Sequence, residues 1–175
     1  PARALDSLRS CAEHARRVDS ELLAQCALAF EASAYYSDLG TAEEALDLVD
    51  EALVAVDAAP SLARARLLRG RVEAAASAAS ARSGAGVGGF MGAYGGHKDP
   101  LLLSQAREAL DLARQLKDDA AICSATFMLV QYSWSPDNAV ERRDLSDEAC
   151  AAAKRTEVGF RDHPLVQRSY LALEL

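Results

Sequence analysis

Leu48-Val49-Asp50-Glu51-Ala52-Leu53 returns as Leu145-Ser146-Asp147-Glu148-Ala149-Cys150. A looser copy, Arg107-Glu108-Ala109-Leu110, lies between them, and Ser10-Cys11-Ala12-Glu13 is a fourth candidate. Taking Cys11, Ala52, Ala109 and Ala149 as equivalent gives spacings of 41, 57 and 40 residues. A period of about 40 residues with helical patterning predicts stacked helical hairpins. The expected fold is all-α: one domain over residues 1–175, a right-handed superhelix of about eight antiparallel helices.

Composition agrees with this. Half of the residues are apolar, yet aromatics make up only 6%. Alanine supplies much of the rest, and small side chains favour helices that pack closely. The formal charge of −7 repels phosphate backbones, so direct nucleic-acid contact is not expected. Cys11, Cys26, Cys123 and Cys150 all fall in helical patterns and form no C-x-x-C pair. They read as buried, reduced thiols in a cytoplasmic protein. The first residues carry Arg3, Asp6 and Arg9 within their apolar pattern, unlike a signal peptide, and no apolar run is long enough to span a membrane.

The pattern predicts helices over 3–18, 21–37, 42–57, 62–81, 100–116, 119–132, 136–155 and 165–175. Leu5, Leu8, Ala12 and Ala15 share one face of the first. Leu22, Cys26, Ala29, Phe30 and Tyr36 are the apolar positions of the second, and Ala45, Leu48, Val49, Ala52 and Val56 point inward from the third. Thr41-Ala42-Glu43-Glu44 has the form of a capping box, and Ser135-Pro136 that of an N-cap with proline at the first helical position. From Ser83 to Asp99 the pattern stops. Seven of those seventeen residues are glycine, which predicts a flexible loop inserted into the longest spacing. The chain finishes on Leu171-Ala172-Leu173-Glu174-Leu175. An apolar tail where a solenoid needs a polar cap suggests a piece of a longer array, or a homo-oligomer contact.

The hairpin around Gly40 resembles a tetratricopeptide repeat. Tyr36, Gly40, Ala45 and Ala52 stand where that family places an aromatic, a turn residue and two small packing residues. Ala29 and Ser33 depart from it, as does Arg142 where an alanine is usual, and the repeat exceeds the standard ~34 residues. Ala109-Leu110-Asp111-Leu112-Ala113-Arg114-Gln115-Leu116-Lys117-Asp118 is similar to a helix-end phrase in the helical-repeat arms of large actinobacterial ATPase regulators of the LuxR and antibiotic-regulator type. Trp134-Ser135-Pro136-Asp137, followed by Glu141-Arg142-Arg143, resembles their inter-repeat segment. The resemblance implies a sensing or scaffolding arm of a transcriptional regulator, with the ATPase and the DNA-binding domain elsewhere in the polypeptide.

Other constellations are weaker. Gly84-Ala85-Gly86-Val87-Gly88-Gly89 spells G-x-G-x-x-G, but no strand precedes it and no helix follows. Phe90, Met91 and Tyr94 in the same loop could fold over a ligand as a lid. Arg64 and Arg71 share one face of their helix, and Arg66 and Arg69 another. They read either as a basic strip for an acidic peptide or carboxylate, or as an inter-repeat ion-paired helix. His14, His97 and His163 have no ligand spacing. Asp50/Glu51 and Asp147/Glu148 read as solvent-facing helix charges rather than a catalytic pair. Trp134 beside Tyr132 reads as inter-repeat packing or a contact hot spot.

The expected function is therefore non-enzymatic and cofactor-free: a groove offered to a protein or peptide partner, or to neighbouring domains of the same polypeptide. Gln25, Arg64, Arg71 and Gln131 are the candidate groove residues. The alternatives are a small-molecule effector site closed by the glycine-rich loop, and a self-association module.

Overall fold

The computed structural model describes residues 2–35, 40–83, 99–133 and 135–156. Among them are seven α-helices and no strand: α1 Ala2–Ala15, α2 Ser20–Tyr35, α3 Ala42–Ala55, α4 Leu62–Ser83, α5 Pro100–Leu116, α6 Asp119–Tyr132 and α7 Ala139–Ala153. A 3-10 turn, Pro136–Asn138, leads into α7. The expected helix 165–175, the span 84–98 with Phe90, Met91 and Tyr94, and Tyr36, Trp134, His97 and His163 lie outside the described residues.

Local chemistry sets most boundaries. Asp19 Oδ1 accepts from the Glu21 N–H and starts α2. Gly40 takes φ +66° before α3, a left-handed conformation that glycine adopts without a Cβ penalty. Ser61 Oγ accepts from the Arg64 N–H at the start of α4. Asp99 caps α5 through the Leu101 N–H, with Pro100 in the first turn, where a missing N–H costs nothing. Lys117 then turns left-handed at φ 56°, and the Asp118 side chain caps α6 through the Ala121 N–H.

Two expected caps are corrected. Thr41 stands at the N-cap of α3 but makes no side-chain cap bond, and its hydroxyl has no partner among the described residues. Glu44, the other half of the box, holds Arg9 instead with two short bonds. A charged bidentate pair outcompetes a bond back to its own helix end. Pro136 opens the 3-10 turn rather than α7. Asn138 occupies the N-cap, and its side chain donates to the Ser133 carbonyl and accepts from Arg142. Arg142 is fully buried and also donates to the Ser135 carbonyl, so it ties the turn to α7 where the repeat pattern expects alanine.

Each helix packs on the next along the chain. In addition α2 packs on α4, and α4 on α6. The apolar interior forms two clusters, and α4 belongs to both. Leu67 and Ala74 join Leu5, Leu23, Phe30, Leu48 and Val49 on the N-terminal side. Leu68, Val72 and Ala76 join Leu110, Ile122, Leu129 and Leu145 on the C-terminal side. Gly70 faces α2, where a Cβ would meet Leu28 Cδ2 at 2.9 Å. The small residues of α4 thus permit close approach on two sides.

The expected inward faces of α1 and α3 are buried, except that Leu8 and Val56 are only partly covered. In α2 the reading is half right. Cys26 and Phe30 are buried, but Leu22 and Ala29 are exposed, and Leu23, Ala24 and Ala27 take their places. Cys26, Cys123 and Cys150 are buried thiols outside any disulfide; Cys11 is likewise unbridged but exposed, against expectation. The reason is its position: Ala52, Ala109 and Ala149 are covered by neighbouring helices, while that face of α1 is open. Among the described residues, no helix is long and apolar enough to cross a membrane.

Candidate partner-binding surface

Odd-numbered helices are joined by arginine–carboxylate bars. Arg9 and Arg16 of α1 reach Glu44 and Glu51 of α3 at 2.6 and 2.5 Å. Arg107 and Arg114 of α5 reach Glu141 and Glu148 of α7 at 3.4 and 2.6 Å. In both units the arginines are two turns apart, and so are the carboxylates. The sequence equivalence of Cys11, Ala52, Ala109 and Ala149 aligns Arg9 with Arg107 and Arg16 with Arg114. The bars are therefore a repeated feature. Their hydrogen bonds from arginine draw the Glu44 and Glu51 carboxyls below the ordinary range.

The step from α3 to α5 differs. Asp50 and Asp57 stand at the arginine positions, so α3 has no cation to offer. Arginines of α4 take over. Arg71 bonds Asp50 with its Nε at 2.5 Å and Gln105 of α5 with Nη1 at 2.7 Å. Arg64 reaches Glu108 of α5 at 2.9 Å, and Arg82 pairs with Glu43. Hence Glu43, Glu44, Asp50 and Glu51 of α3 are each held by an arginine from α1 or α4.

The two faces of α4 predicted from its arginines are thus put to use between helices. Arg64 and Arg71 point to the α3–α5 step. Arg69 turns to α2, bonding Glu31 at 3.3 Å and Glu73 on its own helix. Arg66 is exposed and has no ion pair among the described residues. Glu31 is only 3% exposed. Burial, reinforced by the Glu73 charge, pushes its carboxyl up to about 8, and Arg69 offsets only part of that. Of the other candidate groove residues, Gln25 is exposed on α2, whereas Gln131 is 9% exposed and sits inside the fold. Asp50, Glu51 and Glu148, read from sequence as solvent-facing charges, are half-covered and ion-paired, Glu51 and Glu148 in the bars and Asp50 with Arg71 of α4.

An open cleft of about 580 Å³ lies between α5 and α7. Leu110, Leu129 and Leu145 form its floor, and Val140, 57% exposed, stands at one end. The bars Arg107–Glu141 and Arg114–Glu148 belong to its walls, and Asp111 and Asp144 complete them. The sequence reading missed this site. Its signal was available in the recurrence of arginine pairs in α1 and α5 and of glutamate pairs in α3 and α7, seven residues apart in each case. Among the described residues, no group of three or more histidine, cysteine or acidic side chains is arranged to hold a metal ion. No family model matches the chain, and no curated protein or solved structure matches it either.

Proposed function

We propose that this chain is a non-enzymatic interaction domain, a right-handed array of tetratricopeptide-like helical hairpins that presents its surface to a protein or peptide partner within a transcriptional regulator. The observation that carries the reading is the repeated unit. Arg9/Arg16 with Glu44/Glu51 and Arg107/Arg114 with Glu141/Glu148 are copies of one arrangement. Copies of a hairpin stacked in line generate extended surfaces suited to contact rather than chemistry. The regulator context rests on the resemblance of residues 109–118 and 134–143 to regulator arms.

Selection of a random-peptide phage library on the immobilised chain tests the reading. Enrichment of a sequence family that binds with one-to-one stoichiometry by calorimetry supports it. Repeated rounds with no enrichment over an albumin control would overturn it.

A further inference from the structure

The residues lining the α5–α7 cleft have counterparts in the N-terminal unit. Arg9, Arg16, Glu44, Asp47, Leu48 and Glu51 correspond to Arg107, Arg114, Glu141, Asp144, Leu145 and Glu148. On the even-numbered helices Phe30 corresponds to Leu129: the two fall at equal depth from the start of α2 and α6, and Leu23, Ala24, Cys26, Ala27 and Phe30 are buried as Ile122, Cys123, Ala125, Thr126 and Leu129 are. In the N-terminal unit the Arg9 guanidinium lies over the Phe30 ring, 5.6 Å from its centroid. Among the described residues no ring pairs with Arg107: where the N-terminal unit offers Phe30 and Ala12, its own offers Leu129 and Leu110.

The mouth of the cleft is acidic. Two guanidinium groups meet four carboxylates in its lining. Arg107 is committed to Glu141, and Arg114 to Glu148 and Asp111. Among the described residues Asp144 pairs with Arg143, its chain neighbour. The side chains of Asp111 and Asp144 are 72% and 66% exposed, so their present pairs are weak and open to exchange. Glu13 and Asp47 repeat these two acids at the N-terminal unit. The two bars stand about 10 Å apart, two helical turns, which admits one large side chain between them. A cationic neighbour of that side chain would meet Asp111 or Asp144, and an anionic one would be repelled.

We infer that the α5–α7 cleft seats an aromatic side chain of a partner peptide against Leu110, Leu129 and Leu145 beneath Arg107, with a flanking lysine or arginine held by Asp111 and Asp144. The inference rests on the interaction-domain reading and names its site and partner chemistry. A ring on a leucine floor under a guanidinium combines apolar burial with the cation–π geometry already present at Arg9 and Phe30.

The test uses the whole 175-residue chain, labelled with 15N, and three capped tripeptides: Lys-Phe-Lys, Lys-Ala-Lys and Glu-Phe-Glu. Lys-Phe-Lys should shift amides in 107–114 and 140–148, with the other two binding about tenfold more weakly. The variant Asp111→Lys/Asp144→Lys changes only exposed side chains and should lose about the same factor for Lys-Phe-Lys. Equal binding of the three peptides, shifts elsewhere, or an unchanged double variant would each overturn the inference. So would the absence of shifts with Lys-Phe-Lys at millimolar concentration. Phage-selected peptides separate the two levels. If they bind the double variant as tightly as the parent chain, the cleft assignment falls and the interaction-domain reading stands. If none is selected, the reading itself falls.

Discussion

The Arg69 guanidinium crosses from α4 to α2 and donates to Glu31 at 3.3 Å, in a contact that leaves Glu31 almost no exposure to water. Glu73 shares the same arginine. One cation thus faces two carboxyl groups, and the more buried of the two holds its proton past neutrality.

This arrangement makes stability pH-dependent with a definite sign. The Glu31 carboxyl rises from its ordinary 4.5 to about 8 on folding, so the folded chain binds more protons than the unfolded chain between those values. Its contribution is fully present below about pH 4.5 and is lost as pH climbs to about 8. Glu31→Gln removes the titration. Denaturant melts from about pH 5 to about pH 8 should show the parent losing ~1 kcal/mol or more relative to the variant, one pKa unit being about 1.4 kcal/mol. A constant difference across that range would contradict the assignment.

The bars and the α4 arginines should differ in worth. Arg16 and Glu51 are both about two-fifths exposed, and Arg16→Ala should cost about 0.2–1 kcal/mol, less in high salt. Arg71 is better covered and bonds two helices at once, so Arg71→Ala should cost about 1–3 kcal/mol. Urea titrations of the two variants give the ranking, and equal losses would refute it.

Gly70 offers a size test of the α2–α4 contact. Gly70→Ala sets a helix gain of about 1 kcal/mol against displacement of the flexible end of Leu28, leaving stability near that of the parent. Gly70→Leu cannot be accommodated the same way and should lose about 1–3 kcal/mol. Thermal unfolding of both variants checks the pair. If leucine is tolerated as well as alanine, the approach of the helices is looser than described.

The capping contrast is equally direct. Asp118→Ala removes a made bond to the Ala121 N–H and should cost about 1 kcal/mol. Thr41→Ala removes a hydroxyl without a cap bond and should stay within about 0.5 kcal/mol of the parent. A Thr41 loss equal to that of Asp118 would restore the capping box in solution.

Most of the described helices and their starts were legible in the sequence because their causes are local, the exception being the last, whose start moves from Pro136 to Ala139. Asp19, Ser61, Asp99-Pro100 and Lys117-Asp118 act within a few residues of themselves, and the apolar spacing of α1 and α3 names their buried faces. The capping box failed at Glu44 because its competitor, Arg9, is 35 residues away. Likewise Glu31 and Arg69, 38 residues apart, become a buried pair only through the α2–α4 contact. In α4, alanine on all sides left no single apolar face to read, because four helices, α2, α3, α5 and α6, pack around it. The cleft between α5 and α7 follows from residues brought together by packing. The sequence recorded it only indirectly, through the spacing of its arginines and glutamates.

The double membership of α4 governs how the chain comes apart. In a strictly linear stack, terminal units fray while the others persist. Here neither half can keep its interior if α4 leaves, since Leu67 and Ala74 serve one cluster and Leu68, Val72 and Ala76 the other. Melting should therefore be concerted across both halves, and the slowest-exchanging backbone amides should lie in the middle of α4 rather than in the outer helices α1 and α7.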